Sequence, residues 1–180
     1  MPRADTAIRH VGVFGRRLSG KTTLLRAVLR SYFAAEGRRA LVLDPNLEPW
    51  GEFAWVTADR DRMMAKLWAS WGCNVVVEEA GSTIRRDAEV TELFTRSGHR
   101  CHRVFVAGHT SSSLLPVMRE QLTELYLFRQ SQREADGWAE LFTNDEIRQS
   151  TGLDYDAREF LHVRLGHPVR RGVLVFDKST

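Results

Sequence analysis

The chain has 180 residues, 43% of them hydrophobic and 27% charged, which suits a soluble α/β domain long enough to bury a sizeable core and excludes a disordered or fibrous chain. A net charge of +3 is only mildly basic, and the scarcity of lysine (Lys21, Lys66 and Lys178 alone) fits a GC-rich genome as well as it fits phosphate binding. No apolar run approaches the ~20 residues of a membrane span, and Met1-Pro2-Arg3-Ala4-Asp5 lacks the apolar stretch of a signal peptide, so the expected location is cytoplasmic, or virion-associated if the chain is viral.

Short apolar, β-rich runs alternate with helical stretches, the pattern of a parallel α/β sheet. The first strand is expected over residues 8–14, followed by a glycine-rich loop and a helix over 22–35 with Leu24, Leu25, Val28, Leu29, Tyr32 and Phe33 apolar. A second strand over 40–43 ends in Asp44-Pro45-Asn46, and a loop carrying Trp50, Gly51 and Trp55 leads to a helix over 60–71 that Asp59 can cap. Cys73 precedes the third strand, 74–77, and has no partnering motif with the distant Cys101; both read as reduced thiols. A helix over 86–95 precedes a fourth strand, 103–107, which ends at Gly108-His109-Thr110. Beyond it come a helix near 115–122, a strand over 124–128 and short helices over 138–142 and 144–150. The last element is a hairpin of 159–164 and 172–176, turning near Gly166-His167-Pro168. No repeat, low-complexity stretch or linker divides the sequence, so a single domain over residues 1–180 is expected.

The loop after the first strand completes the pattern G-x-x-x-x-G-K-[ST] with Gly15, Arg16, Arg17, Leu18, Ser19, Gly20, Lys21 and Thr22, and Thr23 follows. Strand, loop and helix are the context this phosphate loop requires. The glycines let successive N–H groups turn inward around phosphates, and the helix N-terminus adds partial positive charge there. The pattern implies a nucleoside triphosphate, expected to be ATP although the pattern does not read the base, with Lys21 reaching the β/γ-phosphates and the Thr22 hydroxyl on Mg²⁺. Arg16 and Arg17 hold variable positions, from which they can approach phosphate or face solvent. The third strand ends in Glu78-Glu79. An apolar strand ending in two acids places the first, Glu78, to hold the metal and the second, Glu79, to deprotonate an attacking water. Asp44 is open to two readings, a second acid near the site or a strand-end cap.

Leu93-Phe94-Thr95-Arg96-Ser97-Gly98-His99-Arg100, followed by Val104-Phe105-Val106-Ala107-Gly108-His109-Thr110, resembles the FtsK/HerA superfamily of DNA-pumping ATPases. Asp44-Pro45-Asn46 with Glu48 is similar to a stretch that follows the superfamily's second strand. The resemblance spans about residues 8–130 and, in so short a chain, points to the genome-packaging ATPases of tailless, internal-membrane viruses. It implies a RecA/FtsK-like P-loop NTPase fold, a central, mainly parallel sheet flanked by helices, here with a C-terminal β-hairpin. It also implies a ring homo-oligomer, a pentamer or hexamer, that hydrolyses ATP with Mg²⁺ and moves double-stranded DNA, with capsid or membrane-vertex proteins as further partners. His109 falls where the family has a polar sensor, usually Gln. Arg96 and Arg100 fall where an arginine finger would complete a neighbour's site. Glu78 stands where the family has Asp.

A pore that grips DNA needs basic or polar loops without sequence preference. Arg85-Arg86, the 50–55 loop with its tryptophans, and Arg170-Arg171 are the available segments. Two other functions fit the phosphate loop: a small-molecule kinase of the nucleotide or shikimate type, and a nucleotide-gated assembly factor. The tandem acids and the lack of an arginine-rich lid segment weigh against the kinase.

Overall fold

The computed structural model describes residues 9–83 and 88–175, so Ile8, Arg85, Arg86 and Phe176 lie outside the described residues. The chain runs β1 (His10–Phe14), α1 (Lys21–Glu36), β2 (Ala40–Leu43), β3 (Ala54–Thr57), α2 (Arg60–Trp68), β4 (Asn74–Val77), α3 (Ala80–Thr83) and α4 (Ala88–Arg96). A 3₁₀ turn at Ser97–Arg100 leads to β5 (Arg103–Gly108), and a second at Ser111–Ser113 to α5 (Pro116–Glu120), β6 (Leu122–Phe128) and α6 (Gln132–Phe142). A third 3₁₀ segment, Asp145–Gly152, precedes the hairpin β7 (Glu159–Arg164) and β8 (Arg170–Val173).

All eight strands join one sheet in the order β3-β2-β4-β5-β1-β6-β7-β8. The pairs from β3 through β6 are parallel, and β7 and β8 add antiparallel to that edge. β1, β2 and β4 are buried at every residue, which is why they read as mostly apolar runs: helices cover both faces of a parallel sheet. On one face α1 inserts Leu24, Leu25 and Leu29 against Val11, Val13, Val42, Val76 and Phe105. On the other, Met63 and Leu67 of α2, Leu93 and Phe94 of α4, Met118 of α5 and Trp138 and Phe142 of α6 pack on Phe14, Val75, Val77 and Val104. Among the described residues no helix is long and apolar enough to cross a membrane.

Several elements depart from the expectation: α2 ends at Trp68 and not at 71, α3 was not expected, β8 spans Arg170–Val173 where 172–176 was expected, and two further departures have clear causes. Ala54–Thr57 is a parallel edge strand on β2, with Leu41 opposite Trp55, not part of a loop. It is short and only its last residue is buried, so it lacks the continuous apolar run that marks the central strands. α6 begins at Gln132, six residues before the expected start, because Ser131 accepts from the Glu134 N–H and caps it. Most of its first two turns face solvent, so only Ala135 contributes an apolar signal there.

Candidate active site

The phosphate loop lies between the C-terminal end of β1 and the start of α1. Gly20 holds φ +100, and α1 begins directly after it with no side-chain cap and no acid in its first turn. α2 and α6 differ: Asp59 and Ser131 cap their first turns. The N-cap residue of α1 and its first turn therefore put no capping or acidic side chain of their own on the first N–H groups, as suits an anion-binding helix start. Gly15 has its own reason: a Cβ there would lie 2.7 Å from the Phe128 Cβ and 2.9 Å from the Ser19 Oγ. Ser19 is buried within the loop, its hydroxyl without a hydrogen-bond partner among the described residues.

A cavity of about 480 Å³ opens over these strand ends, and Arg17, Leu18, Gly20, Lys21, Thr22, Thr23, Glu78, Glu79 and His109 all line it. Gly15, Arg16 and Ser19 do not, but the Lys21 ammonium donates to the Gly15 carbonyl at 3.1 Å and to the Arg16 carbonyl at 3.0 Å. His109 closes the far side, donating from Nδ1 to the Gly15 carbonyl at 3.2 Å, with that nitrogen 3.5 Å from Lys21 Nζ. The bond to a carbonyl sets the ring proton on Nδ1. Burial lowers the Lys21 pKa, opposed by the nearby charges of Glu78 and Glu79.

Glu78, at the end of β4, is 5% exposed, and the Thr22 hydroxyl donates to its carboxylate. Burial pushes its pKa up to about 7, the Thr22 bond opposes that rise, and the negative Asp44 adds to it. A hydroxyl and a carboxylate side by side are the hard-oxygen pair that Mg²⁺ takes from a protein while phosphates and waters fill its other positions, so these residues fit the ion. Glu79 follows in the left-handed region, φ +48, and its side chain is exposed to the cavity. Asp44 fulfils both of its readings: it lines the cavity close enough for its charge to act on Glu78, and it caps the strand end, 2% exposed and accepting from Asn46 N, Glu48 N and Trp50 Nε1 at 2.9, 3.1 and 3.0 Å. Trp50 is accordingly buried, so it is no stacking platform for a base; Trp55 packs partly buried against the core.

Arg96 and Arg100 do not join this cavity. They line a separate depression with Trp68, Glu92 and His99, beside the turn that leads into the N-terminal end of β5. Arg96 is ion-paired to Glu92 at 2.9 Å and lies 5.7 Å over the Trp68 ring, while Arg100 donates to the Trp68 carbonyl.

Sequence reasoning missed several residues of the cavity wall. Arg26 of α1 bridges Glu48 at 2.5 Å and lies 5.2 Å over Trp50, and both Arg26 and Glu48 line the cavity. The helical spacing of α1 holds no sign of this pairing. Arg158 also lines it, from a turn more than a hundred residues after the loop that no motif marks.

No protein-family model matches the chain, and no curated protein matches it in sequence. Solved structures do match. The genome-packaging NTPase B204 of Sulfolobus turreted icosahedral virus 2, in complex with ATP-γS, aligns at TM-score 0.73 with 15% identity, over 96% of this chain and 100% of B204. The DNA-packaging ATPase B204 of Sulfolobus turreted icosahedral virus aligns at 0.72 with 15% identity, over 93% of this chain and 98% of its own. The pCW3 conjugation coupling protein TcpA aligns at 0.66 with 13% identity, over 92% of this chain and 60% of TcpA. The chain therefore has an α/β P-loop NTPase fold, which it shares with viral packaging NTPases and a conjugation coupling protein.

Proposed function

We propose that this protein is an ATP-hydrolysing motor of the FtsK/HerA type that moves double-stranded DNA, as in packaging a viral genome into a capsid. The observation that carries the reading is the convergence of Lys21, the Thr22–Glu78 pair, Glu79 and His109 on one cavity. The phosphate loop and the uncapped start of α1 bind the phosphates of ATP, and Lys21 exchanges its two loop carbonyls for the β/γ-phosphate oxygens. Thr22 and Glu78 would hold Mg²⁺, which would supply charge neutralisation to the transferring phosphoryl group. Glu79 takes the proton from a water whose oxygen attacks the γ-phosphorus, as the bond to the β-phosphate oxygen breaks and ADP leaves. His109, tied to Gly15, is positioned to report on the γ-phosphate to the segment that follows it. A kinase needs a bound acceptor instead of Glu79, and no observation favours it beyond the phosphate loop that both share.

The site is incomplete in one subunit. Arg96, exposed and held by Glu92 and Trp68, is the better candidate for a finger acting on a neighbour; Arg100 is engaged by the Trp68 carbonyl. A ring of such subunits gives a pore for DNA, with Arg170 an exposed candidate contact and Arg171 already paired to Glu159. Steady-state ATP hydrolysis across protein concentration, with and without linear double-stranded DNA, tests the reading. The expected rate per subunit rises steeply with concentration and with DNA, and Arg96→Ala lowers it about 10³-fold, as loss of an arginine finger does. A slow rate indifferent to both would sink the motor and send the search to small phosphoryl acceptors.

A further inference from the structure

The turn before β7 and the segment after β8 each touch the phosphate loop, at points that flank Leu18. The Tyr155 hydroxyl donates to the Arg17 carbonyl at 2.7 Å. Beyond Leu18, Leu174 presses on Gly20 so closely that a Cβ there would meet its Cδ2 at 2.6 Å. The turn is itself stiff. Asp154 Oδ1 accepts from the N–H groups of Asp156 and Ala157 at 2.9 and 3.0 Å, and Glu159 accepts from the Asp154 N–H while holding Arg171. Leu174 N donates to the Arg158 carbonyl at 3.2 Å, joining the turn to the segment after β8. Between these anchors Arg158 takes φ +54 and projects its side chain into the cavity wall, its Cδ 3.7 Å from where a Gly20 Cβ would stand.

The cavity is chemically one-sided, and this fixes which way a nucleotide lies in it. Glu78, Glu79 and His109 come from β4 and β5, to one side of β1; Arg158 comes from the β6–β7 side. The metal pair, the base and Lys21 put the γ-phosphate toward β4 and β5. The nucleoside end must then extend the other way, past Thr23 and toward Arg158. We infer that Arg158 is a nucleotide-binding residue that reads the nucleoside end, its planar guanidinium stacking on the base of the nucleotide held by its own subunit. The Phe128–Phe160 pair, 5.7 Å apart beneath Leu174, gives that wall an aromatic floor that keeps the turn in place.

The inference rests on the nucleotide-binding reading of the phosphate loop, and one set of titrations separates the two. Equilibrium binding of Mg²⁺–ATP and of Mg²⁺–tripolyphosphate is measured on the wild-type chain, on Arg158→Gly, which relieves the left-handed backbone, and on Arg158→Lys, which keeps the charge and loses the plane. The expected result is that both variants bind ATP about tenfold more weakly, the loss of a planar stack on the base, and bind tripolyphosphate as the wild type does. Equal weakening for both ligands would make Arg158 a phosphate contact and overturn the inference. Undiminished ATP binding in Arg158→Gly would overturn it while leaving the phosphate loop's role intact. A wild-type chain that binds neither ligand would overturn the nucleotide reading, and this inference with it.

Discussion

Glu79 is held at φ +48, where a side chain is strained by roughly 1 kcal/mol or more. A turn needing only to end β4 would place glycine there, and the strain instead accompanies an exposed carboxylate in the cavity. Two substitutions separate geometry from chemistry. Glu79→Gln should lower ATP hydrolysis at least about 10²-fold while leaving ATP binding unchanged, the signature of a lost general base. Glu79→Gly should abolish hydrolysis yet raise the melting temperature by about 3 °C, because glycine takes the angle freely. A Glu79→Gln protein hydrolysing at the wild-type rate would remove Glu79 from the mechanism. His10 makes a different residue-scale prediction. It is 7% exposed, its Nδ1 accepts from Val104 N at 3.2 Å, and burial lowers its pKa to about 4 against 6.5 for the free side chain. Between those values the unfolded chain binds a proton that the folded one refuses, so stability is full above about pH 6.5 and is lost as the pH falls toward 4. The loss is about 3 kcal/mol from this group alone. Urea unfolding of His10→Asn, whose side-chain oxygen can still accept from Val104, should show a flatter profile across that window; an unchanged profile would assign the acid loss elsewhere.

Glycines in the loop and in α6 respond to their elements in opposite senses. In the phosphate loop, Gly15 leaves no room because the Phe128 Cβ is anchored by β6, so Gly15→Ala should cost about 2 kcal/mol in urea unfolding. In α6, nothing lies within 4 Å of where a Gly137 Cβ would stand, so Gly137→Ala should stabilise by about 0.5–1 kcal/mol. A loss at Gly137 or neutrality at Gly15 would contradict the packing described. The same scale explains what could be read from sequence. β1, β2, β4 and β5 were legible because burial on both faces writes itself as mostly apolar residues, and Gly15 to Thr22 because phosphate binding fixes residue type at fixed spacing. The edge strand β3 was not, since one buried residue gives no period. Arg158 and Tyr155 were invisible for another reason: their partners, Gly20 and Arg17, are set by the pairing of β6 with β7, and a long-range register leaves no local pattern.

At the scale of the whole molecule, the acids and Lys21 sit at one end of the sheet and Arg96 beside the N-terminal end of β5. On the proposed reading Arg96 therefore serves a neighbour's cavity and not its own, and the hydrolysis rate is expected to depend on protein concentration. The strand order carries a further consequence, for how the chain comes into being. β1 lies between β5 and β6, and the partners of Val11 are Phe105 and Glu124. A ribosome adding about 5–20 residues per second reaches β5 roughly 5 to 20 s after β1 has emerged. Meanwhile β2, β3 and β4 can pair with one another, whereas β1 waits with both edges open. The strand that carries the phosphate loop is thus made first and paired late. During synthesis the nascent chain presents an apolar strand to chaperones and to other nascent chains well before it can hold a nucleotide.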